Sequence, residues 1–163
     1  QATDPVCGDA LVIVRGAHHY ISPRWLPSLT EHGQVEPTWN YLTVHAYGEL
    51  IVHDDAEWTE AAVRRLTAGH ETDYAVDDVP GDYIQRMLRA IIGIEIQLTR
   101  VEAKAKMSQN KRPEDVRGIV DGLRGDPTDE AAALTATWMA QHAVPAAERR
   151  AALLADVART RRG

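Results

Sequence analysis

Thr38-Trp39-Asn40-Tyr41-Leu42-Thr43-Val44-His45-Ala46-Tyr47-Gly48-Glu49-Leu50-Ile51-Val52-His53 is the stretch on which the fold turns. Trp39, Tyr41, Thr43, His45 and Tyr47 alternate with Asn40, Leu42, Val44 and Ala46, the period-two pattern of a strand built from aromatic and β-branched residues. Gly48 punctuates the run, and Leu50 to His53 reads as its continuation or as a bulged extension. Both faces carry bulky groups. One side is therefore expected against a core and the other against a ligand or a second subunit.

Upstream, Ala10 to Arg15 is a short β-branched run between Gly8 and Gly16, expected as a buried strand. His19 to Ser22 reads as a shorter extended piece ending at Pro23, because the residue before a proline is biased toward β. Residues 23–36 are rich in Pro, Ser, Thr and Gly and read as a long surface loop. Downstream, Asp55 is placed to cap a helix over about 56–69, with Trp58, Ala62, Val63 and Leu66 on one face. Pro80 opens a second helix whose stripe is Tyr83, Ile84, Met87, Leu88 and Ile91. Ile94, Ile96 and Leu98 alternate with Glu95, Gln97 and Thr99, so a further strand is expected to about Glu102.

The remainder reads as helical: Pro113 to Leu123, a helix started by Asp126-Pro127, and a last one started by Pro145. The division implied is 1–125 as the β-rich domain and 126–163 as a C-terminal helical extension. Only four or five strands are expected, whereas closing a barrel takes about six or more. Either the first strands are missing from this sequence or another chain completes the sheet.

The 163 residues carry a net charge of −6, with four Trp, five Tyr and no Phe. An acidic chain lacks the general phosphate-neutralising footprint of a nucleic-acid binder. The one local basic candidate is Arg149, Arg150, Arg159, Arg161 and Arg162. The single cysteine, Cys7, allows no intrachain disulfide and reads as a bystander in its polar stretch, which suits a reducing compartment. No apolar run approaches the roughly 18 residues of a membrane span. With no signal peptide evident, the expected location is cytoplasmic.

Two stretches concentrate chemistry. Trp39 and Tyr41 offer flat faces for a heterocycle, Thr38 and Asn40 offer hydrogen bonds to its edge, and His45 is a donor, acceptor or ligand. The plainer alternative is an aromatic strand face packed on a core. Lys104-Ala105-Lys106-Met107-Ser108-Gln109-Asn110-Lys111 gathers donors suited to a phosphate or a propionate. Its plainer alternative is a solvated strand end followed by a polar turn. His18-His19 lacks a third ligand at diagnostic spacing, and His70-Glu71-Thr72-Asp73 lacks the second histidine of a zincin motif. No nucleophile elbow or phosphate-binding glycine loop is found.

Taken in order, these pieces resemble the PaiB family, described as FMN-binding negative transcriptional regulators. The resemblance rests on GAHHYISPRW over 16–25, PTWNYLTVHAYG over 37–48, Leu66-Thr67, His70-Glu71 and KAKMSQN over 104–110. It implies an α+β fold: a split β-barrel like that of flavin reductases and pyridoxamine-phosphate oxidases, with flanking helices, usually homodimeric with cofactor sites near the interface. Family members carry first barrel strands that this sequence lacks. By the same resemblance FMN is the expected cofactor, held by Thr38, Trp39, Asn40, His45, Lys104, Lys106, Ser108 and Gln109, in a regulatory or redox-sensing protein. The alternatives are a haem b enzyme of the piperazate-synthase type, forming an N–N bond with His45 or His18 as axial ligand, and a flavin-dependent oxidoreductase.

Overall fold

The computed structural model describes residues 6–161. Three long strands, β1 (Val6–Ile21), β2 (Thr38–His53) and β3 (Gly93–Lys106), form one sheet in the order β1-β2-β3. β2 and β3 run antiparallel: His53 meets Glu95, Tyr47 meets Thr99, and Thr38 meets Lys106. The helices are α1 (Ser28–His32), α2 (Ala56–His70), α3 (Gly81–Leu88), α4 (Pro113–Leu123), α5 (Glu130–Trp138) and α6 (Val144–Thr160). The architecture is α+β, a three-stranded antiparallel sheet with flanking helices, compatible with a split-barrel FMN-binding fold.

Among the described residues the expected four or five strands become three, because the two pieces before Pro23 join into one 16-residue strand and Leu50 to His53 continues β2. The join is at Gly16-Ala17. Gly16 lies against Leu42, and Ala17 and Ile21 turn toward the core. His18 and Tyr20 turn to the opposite side, where both meet Trp39. A glycine at the end of a β-branched run reads as a break, and here the strand runs through it.

Compactness divides the chain into two units. One takes the chain up to Val12 together with Ala46–Val101; the other takes Ile13–His45 and the chain from Glu102 on. The second unit holds a continuous core of Ile21, Leu26, Met107, the α4 stripe Val116, Ile119, Val120 and Leu123, and Ala132, Ala136, Met139, Ala143 and Ala147 from the last helices. Trp25 packs against α4 at Gly118 and Gly122. A Cβ on Gly122 would fall 2.3 Å from the Trp25 ring, so that contact admits only glycine. The segment expected as loop is partly ordered. Pro23–Trp25 makes a 3₁₀ turn capped by Ser22, and α1 is tied to α4 where Asp115 accepts from the Ser28 backbone N–H (3.0 Å) and hydroxyl (2.7 Å).

α5 begins at Glu130, capped by Asp129, which accepts from the Ala132 N–H at 2.9 Å. Asp126 instead closes a local turn, accepting from the Thr128 N–H and hydroxyl. Short polar side chains serve turns as readily as caps, which is why the start lies three residues later than expected. A π-helical turn, Met139–Ala143, leads into α6, with Pro145 in the first turn of α6, where its missing N–H costs least.

In the first unit α2 starts at its expected cap: Asp55 accepts from the Trp58 N–H at 2.8 Å. The Trp58 ring stacks on His53 (3.8 Å between centroids) and presses on Gly93, where a Cβ would sit 2.3 Å from the indole. His53 Nε2 lies 2.8 Å from Glu95. Of the apolar stripes expected here, Leu66, Tyr83 and Met87 are exposed. α3 ends at Leu88, before Ile91.

Candidate functional site

The half of the sheet that belongs to the second unit has two unlike faces. Asn40 and Leu42 turn to the helical core. Tyr41, Thr43 and His45 turn the other way and, with Glu102, Ala103 and Lys104 of β3, line a hollow of about 530 Å3. A neighbouring hollow of about 380 Å3 lies at the strand ends, lined by Thr38, Asn40, Lys104, Lys106, Ser108 and Lys111 among others. Lys104 lines both.

The cations are held in defined places. Lys106 Nζ donates to Thr38 Oγ1 (2.6 Å) and to the Trp39 carbonyl (2.9 Å). The Lys104 and Lys106 ammonium groups stand 5.8 and 5.9 Å from the Tyr41 ring centroid, within cation–π range. Neither makes an ion pair among the described residues, while Lys111 pairs with Glu36 at 3.4 Å. Two like charges two residues apart on one strand repel each other, and an anion between them removes that cost. Thr43 lines the larger hollow, but its hydroxyl oxygen is shielded from solvent and has no hydrogen-bond partner among the described residues. An unmade bond of this kind costs about 1–3 kcal/mol until something polar meets it.

The turn after β3 shapes the smaller hollow. Ser108 has φ 57°, a left-handed backbone that a residue other than glycine adopts only when its surroundings hold it there. Its hydroxyl donates to Asn40 Oδ1 at 3.0 Å, and the Asn40 amide reaches the Met139 sulfur at 3.4 Å. Gln109 accepts from the Met107 N–H (2.7 Å) and donates to the Ala105 carbonyl (2.8 Å). Asn40 and Ser108 are buried, so both, with Gln109, hold the turn that presents Lys104 and Lys106.

The residues singled out in the sequence are thus brought together unevenly. Thr38, Asn40, Lys104, Lys106, Ser108 and Gln109 meet at the smaller hollow, and His45 joins Lys104 at the larger one. Trp39 belongs to neither; it lies with His18 in a third cavity toward β1. Sequence reasoning missed Thr43 and Glu102 as lining residues, although the alternation already put Thr43 on the face of Tyr41 and His45. His19 Nε2 is engaged by Asp129 at 3.1 Å and His18 Nδ1 lies 3.1 Å from the Gly16 carbonyl. Among the described residues no three His, Cys, Asp or Glu side chains gather as a metal site.

Residues 2–100 match the family described as "Putative FMN-binding domain", and the chain resembles the PAI 2 protein of Bacillus subtilis. The chain belongs to this PaiB-like family. Within it, the Bacillus relative, the "Protease synthase and sporulation protein PAI 2", is 26% identical over 132 residues, covering 79% of this chain and 61% of its own length. Uncharacterized protein AN0679 of Emericella nidulans is 32% identical over 136 residues, covering 74% of this chain and 54% of its own. Uncharacterized protein AFUA_5G13800 of Aspergillus fumigatus is 32% identical over 135 residues, covering 71% and 52%. The chain therefore spans between half and two thirds of the length of these PaiB-like relatives. The haem alternative draws no support from these similarities. No helix among the described residues is long and apolar enough to cross a membrane. Of the C-terminal arginines, Arg150 donates to the Asn110 carbonyl and Arg159 pairs with Asp156, while Arg162 lies outside the described residues.

Proposed function

We propose that the chain binds FMN along β2 and β3 and serves a regulatory or redox-sensing role as a homodimer. The observation that carries this reading is the pair Lys104 and Lys106, two cations without ion-pair partners among the described residues, in a chain of net charge −6: both line the smaller hollow, and Lys104 also lines the larger one beside Tyr41, Thr43, His45 and Glu102. The ring system would lie in the larger hollow against Tyr41, with Thr43 and His45 in the wall beside it. The phosphate would take Lys104, Lys106 and the Thr38 hydroxyl, with Asn40, Ser108 and Gln109 fixing the turn beneath. A volume of about 530 Å3 lies inside the range of roughly 300–1,000 Å3 usual for small-molecule sites. Bound flavin would supply redox chemistry; the protein groups bind and orient it. The regulatory part of the reading is in keeping with the sporulation role named for the Bacillus relative. The dimer is in keeping with the exposed apolar residues of β1 and β3, Ile13 and Val14 in one unit and Leu98 and Val101 in the other.

The experiment compares FMN with riboflavin, which lacks the phosphate. Lys104→Gln with Lys106→Gln weakens FMN by about tenfold or more, since a charge-assisted hydrogen bond is worth about 1.5–3 kcal/mol. Riboflavin binding moves by less than about twofold in the same variant. Equal losses for both ligands would remove the phosphate from the lysines, and a chain that retains neither through gel filtration would remove the cofactor reading.

A further inference from the structure

On the β1 side of Tyr41 and Thr43 lies a third cavity, of about 270 Å3, lined by Ile13, Arg15, His18, Trp39, Tyr41, Leu42 and Thr43. Its walls are almost wholly apolar and aromatic. The His18 ring stacks on Trp39 with centroids 6.4 Å apart and planes 28° apart, and Tyr20 braces Trp39 at 6.2 Å. Trp39 is nonetheless half exposed. A large aromatic surface held in place by two other rings while open to solvent is costly to maintain without a ligand. Arg15 is the one permanently charged residue in the lining, no acidic side chain lines the cavity, and Arg15 makes no ion pair among the described residues.

We infer that this cavity is a binding subsite for a planar aromatic carboxylate, with its ring against Trp39 and Ile13 and its carboxylate on Arg15. The chemistry of the lining selects that class, and a volume of about 270 Å3 gives ample room for an aromatic ring and its carboxylate. An apolar slot with one guanidinium at its edge discriminates for a flat ligand carrying one anionic group, because the planar fork of arginine matches a carboxylate in two parallel hydrogen bonds. The cavity shares Tyr41 and Thr43 with the larger hollow of the β2–β3 face, so its ligand lies alongside whatever fills that hollow. The inference does not rest on that hollow holding FMN.

Calorimetric titration of the full chain with benzoate tests it, with benzamide as the uncharged isostere and FMN retention measured on the same samples. Benzoate binds, and benzamide binds at least about tenfold more weakly, the loss of one charge-assisted pair. Arg15→Gln, at an exposed position where folding is not at stake, weakens benzoate about tenfold, Arg15→Lys recovers part of it, and FMN retention is unchanged in both. Trp39→Leu weakens benzoate and benzamide alike. Unchanged benzoate affinity in Arg15→Gln, or no benzoate heat at millimolar concentration, overturns the subsite. If Trp39→Leu instead shifts the oligomeric state with no benzoate binding in the parent chain, the face belongs to a second copy and the subsite is likewise overturned. Absence of FMN retention in the parent chain, with benzoate binding intact, counts against the cofactor reading and leaves the subsite standing.

Discussion

The two units bury their apolar residues very differently. In the unit carrying α4, α5 and α6, Val116, Ile119, Val120 and Leu123 at helical spacing are each 4% exposed or less, closed over by alanines of the later helices. In the unit carrying α2 and α3, the buried apolar residues among those described are Val76 and Leu88. Leu66, Tyr83 and Met87, on equally regular stripes, stay in solvent. Both halves are patterned alike, so the difference teaches what an apolar stripe means. It marks the face that gains from burial, about 25 cal/mol for each Å2 removed from water, and is silent on whether the same chain supplies the cover.

The largest effect expected from this contrast is in the core. Ile119→Ala removes a side chain with no exposed surface from the centre of α4 and should cost about 2–5 kcal/mol in urea unfolding, through lost transfer energy and the cavity left behind. Leu66→Ala, 67% exposed, should stay within about 0.5 kcal/mol. Comparable costs at the two positions would break the comparison, since they would require Leu66 to be buried in the protein in solution.

How much was legible in the sequence follows the same line. β2 and α4 were readable to the residue, because alternation in the one and Pro113 with a 3-4-7 stripe in the other are local signals. β1 reads as two pieces because Gly16 bounds the β-branched run, and only Leu42 and Trp39, far along the chain, show that the strand continues. At the site, the residue types were right and the partition was not visible. Lys104, Lys106 and His45 line the two β2–β3 hollows, whereas Trp39, one position from Asn40, belongs to another cavity. Trp39 and His45 share a face of β2 by alternation, but Trp39 meets β1 residues and His45 meets β3 residues, a sideways division set by the order of the strands in the sheet. The roles of Asn40, Ser108 and Gln109 under the turn depend on Met139 and on a left-handed Ser108, neither of which any spacing rule announces.

A smaller effect sharpens the well-packed side of the comparison. The Ala132 N–H and then the His19 ring hold the Asp129 carboxyl below the usual carboxylate range. A lowered folded pKa stabilises the fold above the unfolded value, and that contribution is lost as pH falls through the folded one. Asp129→Ala should therefore be less stable than the parent at neutral pH. The gap should hold down to the ordinary carboxylate range and close at more acid pH. Thermal unfolding of both proteins at a series of pH values reads it. A gap independent of pH would mean that the cap acts through shape alone and that the charge of Asp129 contributes nothing to α5.

The smallest effect on stability is expected on the sparsely buried side, where it carries the most information about what covers that face. Leu98, in β3, is 58% exposed, and Leu98→Ser should change the unfolding free energy of the single chain by no more than about 0.5 kcal/mol. Nothing within the chain is lost when that side chain shrinks. If a second copy covers the face, the same substitution removes apolar area from an interface, and one well-packed leucine in a dimer contact is worth about 1.5–3 kcal/mol. The dissociation constant measured by sedimentation would then rise roughly ten- to a hundredfold while the monomer's unfolding is unmoved. A chain whose sedimentation is monomeric in parent and variant alike would leave the apolar face of β3 uncovered by a second copy and remove the homodimer from the proposed function.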